Sequence, residues 1–373
     1  MKHLKFGFIL FLLCSVSSVM AQYDVKANYD KQEVDIKMRD GLKLHTTIYT
    51  PKDMSKSYPI LMQRTPYSSR PYGEDQYRKQ IGPNKFLMEQ GNIIVYQDVR
   101  GRWMSEGKYD NMRGFIPKKK RKETDEASDT YDTIDWLVKN VGNTNGNVGT
   151  WGISYPVHYA AMSVLSDHPA LKAASPQAPI GDFYFDDFHH NGAYLLSYWV
   201  ATAVFGYDKE GPTTESWYPI PDIGTKDAYQ FFLDIGPLSN LDKYYGEDNV
   251  FWQQLKDHPD YDEFWQKRGL VQYMKDVKPA VLTVGGLFDA EDLYGPFEIY
   301  KNLEENSDNF NAVVFGPWSH GDWARLKERQ AVGNMYFGDN LSENFQVNYE
   351  TKFFNHFLKE EGEFDVAEAT MYD

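Results

Sequence analysis

A serine between an apolar strand pattern and a helical pattern is the first residue whose setting suggests chemistry. Residues 148–151 are mostly apolar, Gly152-Ile153-Ser154 follows, and a helical pattern begins at Tyr155. A sharp turn of this kind exposes a serine hydroxyl above the edge of a sheet. The helix N-terminus faces the serine, so the amide of Tyr155 can stabilise an oxyanion. The spacing predicts Ser154 as a nucleophile; the alternative is a serine in an ordinary strand-to-helix loop.

A serine nucleophile needs a histidine as its base and a carboxylate that orients the histidine. Asp289 follows the apolar run 281–284, and His320 follows the apolar run 312–315. The order Ser, Asp, His is that of α/β-hydrolases, in which the later two residues leave the carboxyl ends of late strands. The spacing predicts a triad of Ser154, Asp289 and His320. The histidines that compete for the role of base do not follow a late strand: His158, His189 and His190.

Tyr67 is a candidate for the second donor of an oxyanion hole. It ends the segment Arg64-Thr65-Pro66-Tyr67, which follows the early apolar run 58–62. In α/β-hydrolases the loop after an early strand supplies this donor. The phenol hydroxyl would act in place of a backbone amide. The alternative is a tyrosine that only packs, in a chain with 27 tyrosines.

The elements that must position these residues alternate between strands and helices. This pattern indicates a mostly parallel sheet covered by helices on both faces. Residues 34–44 alternate around Asp40-Gly41, which predicts a β-hairpin. From 182 to 276 the chain is rich in aromatic residues and aspartate, and we interpret this segment as an inserted, mostly helical cap. The predicted fold is an α/β-hydrolase in two parts, residues 22–181 and 277–362.

The first 21 residues form a separate segment that predicts secretion. Lys2 and Lys5 precede an apolar run that is too short to span a bilayer, and Val19-Met20-Ala21 resembles a cleavage site. We therefore expect a signal peptide over residues 1–21 and a secreted or periplasmic protein. Cys14 is the single cysteine and is removed with the signal, so the mature chain has no thiol chemistry.

The charge of the chain restricts its partners. It carries 54 acidic and 39 basic residues and a formal net charge of −15. A surface this acidic argues against nucleic acid and against anionic membranes as partners. The basic run 118–122 lies beside an acidic run and is interpreted as a solvated loop. We expect no metal and no organic cofactor, and the composition is compatible with homo-oligomers.

Five motifs, taken in order, resemble one family of serine hydrolases, the cocaine esterase and Xaa-Pro dipeptidyl-peptidase group. The resemblance extends from about residue 30 to about residue 360. It implies the same triad, and an oxyanion hole built from the Tyr67 hydroxyl and the Tyr155 amide. It also implies a C-terminal β-sandwich, which residues 363–373 would begin. The motifs are the serine turn, residues 64–67, Gln97-Asp98-Val99-Arg100-Gly101 with Ser105-Glu106-Gly107, residues 286–289 and residues 316–320.

Within this group the chain is most similar to α-amino-acid ester hydrolases, whose relatives are often labelled glutaryl-7-aminocephalosporanic-acid acylases. The resemblance implies that three carboxylates bind the ammonium group of the substrate. Glu291 and Asp292 match two of them, and either Asp186 or Asp187 matches the third. From the residues alone, Glu291 and Asp292 would equally suit the N-terminus of the helix that runs to Asn302.

The implied reaction is acyl transfer from α-amino-acid esters or amides, including β-lactam-type substrates. Three alternatives remain open. A dipeptidyl-peptidase that cleaves after proline would use the same triad on short peptides. A catalytically inactive binding protein is suggested by Val157, which replaces a glycine of the related proteins, and by the short C-terminus. A zinc enzyme would use Asp186, His189 and His190, at spacings that suit no common metal-binding helix.

Overall fold

The computed structural model describes residues 23–372, in which a nine-stranded sheet is the central element. The predicted signal peptide of residues 1–21 lies outside the described residues. Two further pairs of short strands lie apart from the sheet. The strands are β1 Tyr29–Lys37, β2 Lys43–Pro51, β3 Tyr58–Thr65, β4 Ile93–Asp98, β5 Thr144–Ile153, β6 Leu171–Gln177, β7 His189–His190, β8 Ala193–Tyr194, β9 Ala280–Gly286, β10 Asn311–Gly316, β11 Arg329–Val332, β12 Met335–Asp339 and β13 Ala369–Met371.

The strand order β1-β2-β4-β3-β5-β6-β9-β10-β13 is that of a mostly parallel sheet. Strand β2 is antiparallel to both β1 and β4, and the remaining neighbours are parallel. The predicted hairpin is confirmed, since Ile36 pairs with Leu44 and Gly41 adopts a φ of 100° in the turn. Only residues without a bulky side chain adopt such a φ easily. This topology is the predicted α/β-hydrolase fold.

Helices cover both faces of the sheet because successive strand residues point to opposite sides. Ile60 and Met62 of β3 pack with Ile134 of one helix, whereas Leu61 packs with Phe354 of another. The helices are α1 Val25–Asn28, α2 Lys85–Gln90, α3 Glu126–Asn140, α4 Tyr155–Val164, α5 Trp199–Gly206, α6 Ala228–Ile235, α7 Asp242–Tyr245, α8 Val250–Asp257, α9 Glu263–Gln266, α10 Tyr294–Asn306, α11 Leu341–Phe345 and α12 Lys352–Lys359.

The segment from 182 to 276 lies between β6 and β9 and contains the helices α5 to α9 with the small hairpin β7–β8. Its own core is aromatic and includes Phe183, Phe188, Phe251 and Trp265, which are all buried. This core continues into Tyr155 of the serine turn. The inserted segment therefore packs directly over the end of the sheet where the candidate nucleophile lies.

The structure changes two expectations about the strands. Strand β6 is not predicted from the sequence, because none of its residues is β-branched or aromatic. Strand β13 pairs in parallel with β10, Val313 opposite Ala369. Residues 369–371 therefore extend the hydrolase sheet, and the prediction that 363–373 begins a separate β-sandwich is wrong for them. Among residues 23–372, no helix combines the length and the apolar character that crossing a membrane requires.

Candidate active site

The turn at Ser154 has the geometry predicted from the sequence. Ser154 joins β5 to α4 with φ 60° and ψ −142°, a strained conformation for a residue with a side chain. A Cβ atom at Gly152 would lie 2.3 Å from the carbonyl oxygen of Pro156, so glycine is required there. Val157 is fully buried, and its amide donates to the Ser154 carbonyl at 2.7 Å. The turn therefore forms with Val157 in place.

Asp289 and His320 are brought together by the loops after β9 and β10. These strands are parallel neighbours, and their carboxyl ends meet, since Gly286 pairs with Gly316. The Nδ1 atom of His320 lies 2.8 Å from Oδ2 of Asp289. The Nε2 atom of His320 is buried and has no hydrogen-bond partner among residues 23–372. The ring is thus oriented by a carboxylate at one nitrogen and is free to take a proton at the other.

The electrostatics of this pair favour a charged histidine. Burial alone would lower the pKa of His320, but the hydrogen bond and charge of Asp289, followed by the charge of Glu291, raise it above its usual value. For Asp289 the effect of burial is the opposite, since burial alone would raise the pKa of a carboxyl group. The contact with His320 and the backbone amides of Glu291 and Asp292 outweigh burial and lower it. Asp289 therefore stays ionised and stabilises a proton on His320.

Tyr67 and Tyr155 lie beside Ser154 as expected for an oxyanion hole. The amide of Tyr67 donates to Thr65 Oγ1 at 3.0 Å, which leaves the phenol as its remaining donor. Burial of this hydroxyl raises the pKa of Tyr67, more than a hydrogen bond with Ser154 lowers it. The Tyr155 amide begins α4 and so has no acceptor within its own helix. Tyr67 and Tyr155 both line the cavity that contains Ser154.

The loop of Tyr67 is held in place by residues in and next to the motif Gln97-Asp98-Val99-Arg100-Gly101. The carbonyl of Pro66 accepts hydrogen bonds from Arg102 Nε at 3.2 Å and from Trp103 Nε1 at 2.8 Å. Asp98, which is fully buried, accepts the amide of Ser69 at 2.6 Å and the hydroxyl of Tyr72 at 2.9 Å. Asp98 of this motif and the adjacent Arg102 and Trp103 therefore hold the loop of Tyr67, and none of the three lines the cavity of Ser154.

Three carboxylates face the candidate triad, and we call Asp187, Glu291 and Asp292 the carboxylate cluster. Both oxygens of Asp292 are buried without a hydrogen-bond partner among the described residues. Burial, and then repulsion from Asp187, raise the pKa of Asp292 well above its usual value. Burial, and then repulsion from Glu291, raise the pKa of Asp187 to about 7. Two members also lie near the imidazole of His320, Glu291 Oε2 at 3.5 Å from Nε2 and Asp292 Oδ2 at 3.8 Å from Nδ1. Carboxylates held this close together are costly without a positive charge between them, so the cluster is suited to a cation.

The structure distinguishes between the two aspartates that the sequence left open. Asp187 lines the same cavity as Ser154 and His320. Asp186 does not line this cavity, and its Oδ2 accepts the amide of Gly181 at 3.0 Å. Asp187 has a φ of 81°, which lies in the left-handed region. Asp187 is therefore the third member of the cluster, whereas Asp186 binds the backbone of Gly181.

With this geometry established, the comparisons with known proteins identify the family. Residues 40–322 match the X-Pro dipeptidyl-peptidase (S15) family. The chain belongs to this family of hydrolases. It is 28% identical over 318 residues to the cocaine esterase of Rhodococcus sp. (strain MB1 Bresler), and the match covers 80% of this chain and 50% of that protein. The chain thus spans about half the length of the curated relative that it matches.

Two solved structures are similar over nearly the whole chain. An aminopeptidase from the marine sediment archaeon Thaumarchaeota archaeon has 32% identity and a TM-score of 0.83, with 93% of this chain and 57% of that one covered. An α-amino acid ester hydrolase has 30% identity and a TM-score of 0.82, with 98% and 60% covered. Both likenesses confirm the fold and agree with the family resemblance seen in the motifs.

The cavity of this S15-family chain has further walls that the sequence did not indicate. Its volume is about 720 Å³, and one side of it is formed by α5 of the inserted segment. Tyr198 precedes this helix and faces Asp187, whose charge helps to raise the pKa of Tyr198 after burial. No local signal marks these residues, because the segment is aromatic throughout. The apolar lining comprises Ile180, Phe188, Leu195, Val200, Ala201, Val204 and Phe205.

The zinc alternative is not favoured by the geometry. Within residues 23–372, three potential ligands have atoms within 4.8 Å of one another, and they are Glu291, Asp292 and His320. They are not the residues of the zinc alternative, Asp186, His189 and His190. His189 is buried and stacks on Tyr184, and burial lowers its pKa to about 4. It is therefore part of the aromatic core of the inserted segment.

Proposed function

We propose that this protein is a serine hydrolase that transfers the acyl group of α-amino-acid esters or amides to water, or to an amine such as a β-lactam nucleus. The observation that carries the proposal is one cavity lined by Ser154, His320 and the whole carboxylate cluster. A nucleophile with its base accounts for acyl transfer, and the cluster accounts for selection of a positively charged acyl group.

The first chemical step is attack on the carbonyl carbon of the substrate. His320 Nε2 takes the hydroxyl proton of Ser154 while the serine oxygen forms a bond to carbon. Asp289 stabilises the resulting imidazolium through its contact with Nδ1 at 2.8 Å. His320 then gives the proton to the leaving alcohol or amine, and an acyl-enzyme remains. Water activated by the same histidine releases the acid and restores Ser154.

The tetrahedral intermediate carries a negative oxygen that needs preorganised donors. The hydroxyl of Tyr67 and the amide of Tyr155 are the two candidates. The raised pKa of Tyr67 means that the phenol keeps its proton at neutral pH and acts as a donor. The aromatic packing of Tyr67 with Phe205 fixes the direction of the ring.

The carboxylate cluster would bind the α-ammonium group of the acyl moiety. An exposed ion pair contributes little, but three carboxylates in a partly closed cavity attract a cation much more strongly. Both oxygens of Asp292 lack a partner among residues 23–372, and Asp187 lies near enough to interact with it. A bound ammonium group would relieve their repulsion. The proposal agrees with the names of the two solved relatives, an aminopeptidase and an α-amino acid ester hydrolase.

The test compares phenylglycine methyl ester with phenylacetic acid methyl ester, which differ only in the α-amino group. We expect kcat/KM to favour the amino ester strongly in the wild type and both reactions to be lost in Ser154→Ala. In Asp187→Asn the preference for the amino ester should fall by about tenfold or more, with the neutral ester little affected. The exposed control Glu305→Gln should change neither rate.

Two outcomes would contradict the proposal in different ways. Equal rates for both esters in the wild type would leave the triad intact and remove the ammonium site. Failure to hydrolyse any ester, together with no labelling of Ser154 by a fluorophosphonate, would favour an inactive binding protein. A dipeptidyl-peptidase would instead hydrolyse a dipeptide amide with proline in second position faster than either ester, and the same cluster would then bind the peptide N-terminus.

We also propose that the protein is exported, since Lys2, Lys5 and the following apolar run have the pattern of a secretory signal. Expression in a bacterial host with the native N-terminus, followed by sequencing of the exported protein, tests this. A mature protein that begins at Gln22 supports the proposal, and one that retains Met1 in the cytoplasm contradicts it.

A further inference from the structure

A chain of buried polar side chains connects the loop of His320 with a distant helical segment. Trp323 Nε1 donates to Gln177 Oε1 at 2.8 Å, and Gln177 Nε2 donates to Glu350 Oε1 at 2.6 Å. Asn84 Nδ2 donates to the other oxygen of Glu350 at 2.7 Å. All four side chains are buried. Buried hydrogen bonds of this kind fix the groups that they join.

This chain of hydrogen-bonded side chains lies next to the segments that carry Ser154, Asp289 and His320. Trp323 belongs to the 3-10 helix Asp322–Ala324, which begins two residues after His320. Gln177 is the last residue of β6 and pairs across the sheet with Ile153, which directly precedes Ser154. On its other side Gln177 pairs with Val284 of β9, the strand that leads to Asp289.

Glu350 lies in a π-helical turn, Gln346–Thr351, between α11 and α12. Such turns insert one extra residue and occur frequently at functional sites. The same turn places Gln346, whose Nε2 donates to the carbonyl of Trp323 at 2.9 Å. Two residues of this turn therefore hold Trp323. Gln346 binds its backbone directly, and Glu350 holds its ring through Gln177.

The residues at the two ends of this chain of side chains, Trp323 and Asn84, determine which group donates and which accepts in each hydrogen bond. The indole of Trp323 only donates, so Gln177 must present its carbonyl oxygen there and its amide group to Glu350. At the other end, Asn84 Oδ1 accepts the amide of Leu87 at 2.9 Å as the N-cap of α2, so its amide group must also face Glu350. Glu350 consequently receives two donors, which a carboxylate satisfies and a side-chain amide does not.

We propose that Glu350 is a positioning residue that holds the loop of His320 through Gln177 and Trp323. The inference rests on the proposed triad, since its effect on catalysis is exerted through His320. Glu350 orients the amide of Gln177, and Gln177 anchors Trp323 beside the strand that carries Ser154. The distance between the base and the nucleophile then depends on a carboxylate that touches neither the substrate nor the triad.

The variant Glu350→Gln tests the donor and acceptor pattern without changing the volume of the side chain. Its amide group must face either Asn84 or Gln177, and in the second case Gln177 turns and presents a donor to Trp323. We expect kcat to fall by about tenfold or more, with KM within about twofold, because a small misplacement of a catalytic group costs up to about 10² in rate. Hydrogen–deuterium exchange should increase in residues 317–326 and stay unchanged in α3.

The double variant Glu350→Gln with Gln177→Glu is the rescue. Residue 177 then accepts from Trp323 and from residue 350, and residue 350 accepts from Asn84, so these three hydrogen bonds are restored. The hydroxyl of Ser175, which accepts from Gln177 Nε2 at 3.1 Å in the wild type, loses that donor. We expect it to recover most of kcat and the exchange protection of 317–326. Glu304→Gln is the matched control, since Glu304 also accepts an amide hydrogen bond, from Asn311 at 2.6 Å, and lies in α10.

Two results would overturn the inference: an unchanged exchange rate at 317–326 in Glu350→Gln, whether or not activity is lost, or a double variant no better than the single one. The exchange measurement does not need turnover. If the wild type hydrolyses no ester, the proposed function fails, while protection of 317–326 still decides whether Glu350 holds the loop.

Discussion

Asp289 uses both of its carboxylate oxygens to join the two active-site loops. Oδ2 lies 2.8 Å from His320 Nδ1, and Oδ1 accepts the backbone amides of Glu291 and Asp292 at 2.9 and 3.1 Å. The same carboxylate therefore orients the base and shapes the turn that carries two members of the carboxylate cluster. Acid–base chemistry and substrate selection are coupled through one side chain.

This coupling predicts the effect of Asp289→Asn. The amide oxygen can still accept the two backbone amides, but the amide group then donates to His320 Nδ1 and places the ring proton on Nε2, where it blocks proton transfer from Ser154. We expect kcat to fall by about 10⁴ while the melting temperature stays close to that of the wild type. Steady-state kinetics on the neutral ester and thermal unfolding measure the two quantities. A loss below tenfold would exclude Asp289 as the residue that orients His320.

Tyr67→Phe removes the proposed oxyanion donor and keeps the ring packing with Phe205. Because the Tyr67 amide is already used by Thr65 Oγ1 at 3.0 Å, no backbone donor replaces the lost hydroxyl. We expect kcat to fall by about 10² to 10³ with a small change in KM. Tyr229→Phe, on the exposed face of α6, is the control. A Tyr67→Phe enzyme with wild-type kcat would assign the second donor to another group.

The pH dependence of kcat/KM should differ between the two esters. The neutral ester needs only deprotonated His320, so its rate rises with pH through the pKa of His320. This pKa is above the usual value of histidine, because Asp289 and Glu291 raise it against the effect of burial. The amino ester also needs ionised carboxylates, and the pKa of Asp187 is about 7. Its acid limb should therefore be steeper than that of the neutral ester.

Asp187→Asn is the check on this pH dependence. The variant should make the acid limb of the amino ester less steep and closer to that of the neutral ester, because one titrating group of the cluster is gone. Since the carboxylates interact, the limb belongs to the cluster rather than to one residue. Identical limbs in the wild type would contradict a role for Asp187 in binding the ammonium group.

The carboxylate cluster should lower stability at neutral pH, as binding sites for charged ligands often do. The pKa of Asp187 is about 7 in the folded chain, above the usual ~3.9 of an unfolded aspartate. The stability that its protonated form contributes is full below the unfolded pKa and is lost as pH rises through about 7. Asp187→Asn should therefore raise the melting temperature at pH 8 and have little effect at pH 4.

Asparagine is well suited to this position, because residue 187 has a φ of 81° and asparagine tolerates the left-handed region. Asp365→Asn, an exposed substitution, provides the control and should leave the melting temperature unchanged at both pH values. If Asp187→Asn lowers the melting temperature at pH 8, Asp187 is held by contacts stronger than the repulsion within the cluster.

Features that depend on a few neighbouring residues can be predicted from the amino-acid sequence alone. The turn at Ser154 needs glycine at 152 because a Cβ there would meet the backbone of Pro156, and this requirement is visible in the motif. The hairpin β1–β2 is likewise marked by its alternation and its turn. The order of Ser154, Asp289 and His320 was readable because each follows the end of an apolar strand.

Contacts between residues that are distant in the chain could not be predicted and are seen only in the folded structure. Strand β6 has weak strand propensity and forms because β5 and β9 pair with it on both sides. Asp187 rather than Asp186 lines the cavity, whereas Asp186 accepts the amide of Gly181. Glu350 reaches Gln177 through a π-helical turn that no periodicity marks. Local backbone requirements act over a few residues and are visible in sequence, whereas contacts across the sheet depend on the whole fold.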